Sequence, residues 1–284
     1  MSGGRPTALA GVMGWPVGHS RSPLLHGHWL RVHDIDGAYL PLAVAPDALG
    51  AAVNGLRALG FRGANVTVPH KLAVMPYLDR IDAAARAIGA VNTLVIADDG
   101  TIEGRNTDAY GFIESLRAGS PGWTPAAGPA VVLGAGGAAR AVCWALAQAG
   151  VPEIRLCNRS HDKAGALAAD LGAPLQPWGW QQRGAALSGA VLVVNTTVLG
   201  MDGQPPLDLP LDTLPAAATV VDIVYTPLET PLLAAARARG NTTVDGLGML
   251  LHQAVPGFEA WFGVRPAVDP ALRRAVLGEW GALC

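Results

Sequence analysis

Short apolar runs alternate with alanine- and leucine-rich stretches along the whole chain. Several apolar runs, such as those at Ala130–Leu133 and Ala190–Asn195, are continuous rather than alternating with polar residues. Continuous runs of this length predict strands that are covered on both faces, as in a parallel sheet. The predicted strands are Thr7–Met13, Ala38–Val44, Gly63–Val68, Val91–Ala97, Ala130–Leu133, Glu153–Cys157, Ala190–Asn195, Thr219–Ile223 and Thr242–Val244.

The stretches between the apolar runs have helical composition and length. They predict helices at Pro23–Val32, Pro46–Leu59, Asp108–Leu116, Ala138–Ala149, Asp162–Leu171 and Leu232–Arg239, and from Gly246–Gly248 onward the pattern is helical to the end. Strands that alternate with helices in this order predict an α/β fold with right-handed crossovers.

The length of 284 residues favours two domains. Gly119–Gly128 is dense in glycine and proline and is the predicted linker. Because no strand follows residue 248, we expect the last helices to return to the first domain. The predicted domains are therefore residues 1–108 plus 249–284, and residues 109–248.

Composition excludes several classes of protein. Half of the residues are hydrophobic, 15% are charged and the net charge is −2 without a basic cluster, so a folded protein that binds no nucleic acid is expected. No apolar run has the length of a membrane span, and Met1–Pro6 lacks the apolar core of a signal peptide. The widely spaced Cys143, Cys157 and Cys284 are typical of reduced thiols in the cytoplasm. The histidines show no metal-ligand spacing, so no metal is expected.

A glycine-rich turn follows the strand at Ala130–Leu133. Gly134, Gly136 and Ala139 occupy the three positions of the dinucleotide fingerprint, in which glycine permits a tight turn and close approach to a pyrophosphate. The helix that follows offers free N–H groups to the phosphates. A glycine-rich helix packed closely on a sheet is the alternative, but the strand before and the helix after favour a dinucleotide site.

The end of the next strand predicts which dinucleotide binds. An NAD site normally has an acidic residue there, whereas this chain has Asn158 and Arg159, followed by Lys163. An amide and two cations suit the 2′-phosphate of NADP. Asp162 could instead bind the ribose hydroxyl, which keeps NAD as an alternative.

The first half of the chain carries polar residues at predicted element ends. Ser20 and Ser22 precede a helix, where they could cap it or face a ligand. Asn65 and Thr67 share one face of a strand, and Lys71 lies just beyond its carboxyl end, where α/β sheets bind ligands. Two further polar residues are candidates for the site, although Asn92 could simply satisfy a turn and Asp108 could cap the helix that follows.

Eight segments of the sequence resemble shikimate dehydrogenases, in the same order and over nearly the whole chain. They are GWPVGHSRSP, NVTVPHK, GAVNT, NTD, GAGGAAR, NRS, DIVY and DGLGML. The resemblance implies an α/β protein of two domains, in which an N-terminal substrate-binding domain and a Rossmann-type NADP-binding domain are separated by a cleft. It also implies the NADPH-dependent reduction of 3-dehydroshikimate to shikimate, a step in the chorismate route to aromatic amino acids.

The resemblance also implies roles for individual residues. Lys71 and Asp108 match the catalytic pair, which also binds substrate. The other substrate-binding matches are Ser20, Ser22, Asn65, Thr67, Asn92 and Gln253, with Tyr225 either stabilising the substrate or only packing against it. The cofactor-binding matches are Gly134, Ala135, Gly136, Gly137, Ala138, Asn158, Arg159, Ser160, Lys163, Thr196, Ile223 and Gly246, the last two near the nicotinamide. Thr196, Val198, His161 and Lys163 depart from the commonest forms of the family.

Two other functions stay open on the sequence. A quinate/shikimate dehydrogenase that uses NAD belongs to the same family, although the paired serines and Arg159 favour shikimate and NADP. A non-catalytic sensor that binds NADP is the second alternative, against which the intact set of polar residues argues. The expected partner is the small-molecule substrate, with a homodimer as the candidate assembly and neither nucleic acid nor a membrane.

Overall fold

The computed structural model describes residues 7–278, which form two compact units. One unit contains the described residues up to Thr107 together with those from Gln253 onward, and the other is Asp108–His252. The sequence predicts divisions after residues 108 and 248, close to these two points. The first six and last six residues of the chain, including Cys284, lie outside the described residues.

The first unit contains a six-stranded mixed sheet. Its strands are β1 (Ala8–Gly14), β2 (Gly37–Ala43), β3 (Phe61–Val66), β4 (Arg80–Ile81), β5 (Thr93–Ile96) and β6 (Ile102–Arg105), and its helices include α1 (Ser22–Val32), α2 (Leu49–Ala58) and α3 (Ala83–Ile88). The strand order is β2-β1-β3-β5-β6-β4, with β5 antiparallel to both of its neighbours. The carboxyl ends of β1, β3 and β6 and the amino end of β5 therefore lie at the same edge of the sheet.

The second unit contains a six-stranded parallel sheet. Its strands are β7 (Ala130–Leu133), β8 (Ile154–Asn158), β9 (Leu175–Gly179), β10 (Leu192–Asn195), β11 (Thr219–Asp222) and β12 (Thr242–Val244), and its helices include α4 (Asp108–Gly119), α5 (Gly137–Ala149), α6 (His161–Leu171) and α7 (Pro231–Ala238). The order β12-β11-β10-β7-β8-β9 is that of a Rossmann fold, and it reverses between β7 and β10. Ligands of such sheets bind outside the carboxyl ends of the strands, at this reversal.

Two C-terminal helices, α8 (Gly246–Phe262) and α9 (Pro270–Gly278), follow β12. From Gln253 onward they belong to the first unit. The indole of Trp261 donates a hydrogen bond to the Leu94 carbonyl oxygen at 2.8 Å, and the indole of Trp29 in α1 donates to the Ala267 carbonyl oxygen at 3.0 Å. The described residues from Gln253 onward thus cover one face of the first sheet. The helix α2 packs on an apolar cluster that includes Met13, Val53 and Leu94.

The predicted α/β fold is confirmed, and most predicted elements are present. The strands β4, β6 and β9 and the helix α3 are absent from the prediction, because each is short or lacks a continuous apolar run. The predicted role of residues 119–128 as a linker between domains is wrong. This segment lies inside the second unit, where the Ser120 and Thr219 hydroxyls share a hydrogen bond of 2.8 Å. None of the helices within residues 7–278 is long and apolar enough to cross a membrane.

Candidate active site

The predicted substrate-binding residues of the first unit gather at the edge where β3 ends and β5 begins. Asn65 lies in β3, and Thr67 and Lys71 follow it. The strand ends at Val66, so Thr67 lies just beyond it rather than inside it as predicted. Asn92 immediately precedes β5, which runs in the opposite direction and therefore starts at this edge.

Asn92 is the centre of a buried hydrogen-bond network. Its Oδ1 accepts from the Thr107 backbone N–H at 2.8 Å and from the Thr93 hydroxyl at 3.0 Å. Its Nδ2 donates to the Thr107 hydroxyl at 3.0 Å and to Oε1 of Gln253 at 3.4 Å. The side chain therefore holds Thr107, which lies two residues beyond the end of β6.

Asn65 extends the same network towards the first helix. Its Nδ2 donates to the Asn92 carbonyl oxygen at 3.2 Å and to the Thr93 hydroxyl at 3.1 Å, while its Oδ1 accepts from the Tyr39 hydroxyl at 2.5 Å. Burial raises the pKa of Tyr39 well above its usual value, against the opposing effect of a hydrogen bond with Ser22. Tyr39 is thus a neutral donor that connects Ser22 with Asn65.

The two serines differ in their local roles. The hydroxyl of Ser20 accepts from the Ser22 backbone N–H at 3.3 Å, which supports the start of α1. The Ser22 side chain is buried beside Tyr39. The sequence left open whether each serine supports the helix start or faces a ligand. In the structure, Ser20 makes the local bond near the helix start, and Ser22 joins the buried polar network.

The backbone around Lys71 is held firmly. Its carbonyl oxygen accepts from the Val91 N–H at 2.8 Å, and Nε2 of the preceding His70 donates to the Val44 carbonyl oxygen at 2.7 Å. Nε2 is the donor because a carbonyl oxygen can only accept. The Lys71 side chain itself is half-buried. Lys71 is therefore anchored next to the residue that precedes Asn92.

The other two predicted substrate residues belong to the second unit. Asp108 is the first residue of α4 and is buried, which makes it part of the helix rather than the residue before it. Tyr225 is half-buried and lies between β11 and α7.

The glycine-rich turn follows β7 at the reversal of the second sheet. Gly134 has a φ of +107°, and a Cβ there would lie 2.7 Å from the Thr196 hydroxyl oxygen. Thr196, which follows β10, donates in turn to the Leu133 carbonyl oxygen at 2.6 Å. Gly136 precedes α5, and no side chain hydrogen bond caps this helix start in the structure. The turn and the helix N-terminus thus have the features of an anion site.

The residues predicted to select NADP follow β8. Asn158 ends the strand and donates to the Ser160 carbonyl oxygen at 2.9 Å. Ser160 caps α6 by accepting from the Lys163 N–H at 3.4 Å. Arg159 and Lys163 are both exposed, so their cationic groups flank a turn that is open to solvent.

The two residues predicted near the nicotinamide lie against each other. Ile223 follows β11, Gly246 follows β12, and a Cβ on Gly246 would lie 2.2 Å from the Ile223 carbonyl oxygen. The predicted cofactor residues therefore lie at or beyond the carboxyl ends of β7, β8, β10, β11 and β12, along one edge of a single sheet.

Sequence reasoning missed several polar residues of these networks. Their shared property is a buried side chain that bonds a predicted site residue or its neighbour, and they are Tyr39, Thr93, Thr107, Asn195 and Asp222. The adjacency of Thr107 to Asp108 is a signal that could have identified it, whereas Tyr39 has no local signal. Within residues 7–278 no three His, Cys, Asp or Glu side chains form a group that could hold a metal ion.

Comparison with known proteins defines the class to which this site belongs. Residues 12–94 match the shikimate dehydrogenase substrate binding domain, and residues 246–276 match the shikimate 5'-dehydrogenase C-terminal domain. The chain is 65% identical over 269 residues to a shikimate dehydrogenase (NADP(+)) of Paramagnetospirillum magneticum, covering 95% of this chain and 98% of that one. The chain belongs to the shikimate dehydrogenase family, so the resemblance inferred from the sequence is confirmed.

Two solved structures have the same fold. The shikimate 5-dehydrogenase of Thermus thermophilus, in complex with NADP(H) and shikimate, is 38% identical with a TM-score of 0.84, covering 95% of this chain and 98% of that one. The quinate dehydrogenase of Corynebacterium glutamicum, in complex with NAD, is 32% identical with a TM-score of 0.89, covering 96% of this chain and 99% of that one. Members with different substrates and cofactors thus share this architecture.

Proposed function

We propose that this chain is an NADP-dependent shikimate dehydrogenase, which reversibly reduces 3-dehydroshikimate to shikimate in the chorismate route to aromatic amino acids. The observation that carries the proposal is the buried network that joins Ser22, Asn65 and Asn92 in the first unit. Membership of the shikimate dehydrogenase family, at 65% identity to a relative of that name, supports the same activity.

The network suits a substrate rich in hydroxyl groups. Hydroxyl and amide side chains bond such a ligand directionally, and their orientation here is fixed by neighbours such as Tyr39 and Thr107. Fixed donors and acceptors reject an analogue that lacks one hydroxyl, because a buried polar group would then be left without its partner. We propose that Ser20, Ser22, Asn65, Thr67, Asn92 and Gln253 bind the substrate, with Tyr225 beside it.

The proposed chemistry needs a proton on the oxygen of the reduced ketone. Lys71 supplies that proton or relays it, and Asp108 orients Lys71 and the reacting hydroxyl by hydrogen bonding. Acid–base assistance of this kind contributes about 10²–10⁴-fold to the rate. When bound, NADPH supplies the hydride that is transferred to the ketone carbon.

The cofactor proposal depends on the second unit. Backbone N–H groups at the start of α5 would bind the pyrophosphate beside residues 134–138, because no side chain caps that helix start. Arg159 and Lys163 are exposed cations beside Asn158 and would bind the 2′-phosphate. Thr196, Ile223 and Gly246 lie beyond the ends of β10, β11 and β12, where they would line the nicotinamide end.

One set of assays tests this function. Shikimate and quinate are each oxidised with NADP and with NAD, and reduced cofactor is followed by its absorbance. We expect shikimate with NADP to give the highest kcat/KM of the four combinations. Quinate with NAD as the fastest pair would overturn the proposal.

A quinate/shikimate dehydrogenase using NAD is the second candidate. The likeness to a quinate dehydrogenase in complex with NAD favours it, and the exposed Asp162 in the first turn of α6 could bind a ribose hydroxyl. Arg159 and Lys163 argue against it, because cations add little to binding of NAD at the unphosphorylated ribose. A protein that binds NADPH but oxidises neither acid would instead be an NADP sensor.

The cellular setting and the assembly are further parts of the proposal. Cys143 and Cys157 are free thiols, which supports a reducing compartment such as the cytoplasm. A homodimer is the proposed assembly. Light scattering of the purified protein tests it, and a monomeric mass at assay concentration would contradict it.

A further inference from the structure

A fully buried carboxylate, that of Asp222, lies at the end of β11. Its Oδ1 accepts from Nδ2 of Asn195 and from the Val224 backbone N–H, each at 3.0 Å. Its Oδ2 accepts from the Thr230 hydroxyl at 2.7 Å. All three donors are uncharged, so the carboxylate is held in the interior by directional hydrogen bonds.

The partners of Asp222 extend the network to two other segments. The Asn195 Oδ1 accepts from the backbone N–H and the hydroxyl of Thr197, at 3.0 and 2.8 Å, and its Nδ2 also donates to the Leu199 carbonyl oxygen at 3.1 Å. The Thr230 hydroxyl caps α7 by accepting from the Leu233 N–H at 3.3 Å. One carboxylate therefore connects the turn after β10, the segment after β11 and the start of α7.

Two of these segments carry residues of the proposed cofactor site. Thr196 lies between the Asn195 side chain and its partner Thr197, and Ile223 lies between Asp222 and Val224. We propose that Asp222 is a positioning residue, whose carboxylate holds Thr196 and Ile223 in place for the nicotinamide end of NADP. The inference rests on the proposed function, and Asp222 itself is too deeply buried to touch the cofactor.

The chemistry of the site explains why an acid is needed. Asn195, Val224 and Thr230 all direct hydrogens at residue 222, and only a carboxylate accepts on both of its oxygens. An amide would present its NH₂ group to one set of donors. Burial raises the pKa of Asp222 to about 6, while the hydrogen bonds from Thr230, Val224 and Asn195 lower it. The ionised form therefore predominates at neutral pH.

The test removes one contact without touching the cofactor site. Thr230→Val keeps the shape of the side chain and removes the hydroxyl, and Thr230→Ser restores it. We expect Thr230→Val to raise the Kd for NADPH and the KM for NADP about tenfold, which is the size of effect expected when one hydrogen bond to a charged group is lost. The KM for shikimate changes much less, and Thr230→Ser binds NADPH like the wild type.

A second control separates positioning from the loss of a helix cap. Asp82 caps α3 in the first unit, where it accepts from the Ala85 N–H at 2.6 Å. Asp82→Ala and Thr230→Val should both lower the melting temperature, since each removes a cap. Only Thr230→Val should change the Kd for NADPH. If Thr230→Val does not fold, Asp222→Asn is measured in the same way.

The outcomes distinguish this inference from the proposed function. A folded Thr230→Val or Asp222→Asn protein with the wild-type Kd for NADPH would reduce the network to a structural role and overturn the inference. A wild type that binds NADPH but oxidises neither shikimate nor quinate would refute the proposed function alone, since the Kd values still report on Asp222. A wild type that does not bind NADPH would refute both.

Discussion

Gly246 approaches the Ile223 carbonyl oxygen so closely that an added Cβ would lie 2.2 Å from it. The atom that it would meet is backbone, so no side-chain rotation relieves the contact. Gly246→Ala must therefore displace the start of α8 or the segment after β11. We expect a loss of stability of about 1–3 kcal/mol, as for other overpacked sites, and a higher KM for NADP. Thermal unfolding and steady-state kinetics measure the two effects.

The matched control is the same substitution at an open position. A Cβ on Gly165, inside α6, would meet nothing within 4 Å. Gly165→Ala should stabilise the protein by up to ~1 kcal/mol, because alanine is the better helix former. It should leave the KM for NADP unchanged. Equal kinetics for the two variants would mean that the contact between Gly246 and Ile223 does not shape the cofactor site.

The chain has two lysines, Lys71 and Lys163, and opposite effects are expected from them. Lys71→Ala should lower kcat by about 10²–10⁴-fold and leave the Kd for NADPH almost unchanged, because it removes acid–base assistance. Lys163→Ala should raise the KM for NADP while kcat stays near that of the wild type, because it removes a cation from the 2′-phosphate site.

Comparing Lys71→Ala with Lys163→Ala tests both predicted roles in one set of measurements. Steady-state kinetics with NADP and with NAD, together with NADPH binding, are measured for each. Lys163→Ala should affect NADP more than NAD. A Lys71→Ala enzyme with near-normal kcat would remove Lys71 from the mechanism, and equal losses with both cofactors would remove Lys163 from the 2′-phosphate site.

His26 should make the protein sensitive to acid. It is fully buried and stacks on Tyr39 with ring centroids 4.0 Å apart, and burial lowers its pKa from 6.5 to about 3. Its folded pKa lies below its unfolded pKa, so its contribution is complete above about pH 6.5 and is lost as the pH falls towards 3.

Unfolding in urea measures how much His26 contributes to the free energy of unfolding at each pH. Between about pH 7 and pH 5, the wild type should lose about 2 kcal/mol more of its free energy of unfolding than His26→Phe, which keeps a stacking ring that does not titrate. Identical losses in the two proteins would show that His26 is protonated in the folded state.

Asp222 should have the opposite pH dependence. Its pKa is raised from 3.8 to about 6 by burial, so the folded protein binds a proton more tightly than the unfolded chain does. Its contribution to stability is therefore greatest at low pH and is lost as the pH rises through about 6. Relative to Asp222→Asn, the wild type should lose about 1 kcal/mol between about pH 5 and pH 7. A difference that does not vary with pH would contradict the raised pKa.

The strand β7 is a continuous apolar run, and it has the predicted bounds. Such strands are buried on both faces, so their own composition defines them. The strand β6 (Ile102–Arg105) was missed because half of its residues are charged and its pairing with β5 defines it. β9 contains Pro177, which an edge strand tolerates but an apolar pattern does not predict.

The same distinction applies to the candidate site. Residues in short motifs, such as Lys71 and Asp108, could be predicted because their neighbours along the chain identify them. Tyr39 could not, since it meets Asn65 only through the pairing of β1 with both β2 and β3. The prediction that residues 119–128 connect the two domains was wrong for a related reason. Glycine and proline indicate a turn, whereas the observed division, between Thr107 and Asp108, falls at the start of a helix.

The return of the last helices has a consequence for biosynthesis. On the ribosome, all of the second unit is made before Gln253, so its sheet can form while the chain is still growing. The first unit cannot be completed until Trp261 has been synthesised, because the hydrogen bond between Trp261 and Leu94 spans 167 residues. During that interval the aromatic surface around Trp29 and Tyr39 lacks its cover, so the earliest part of the chain is the last to be protected from aggregation.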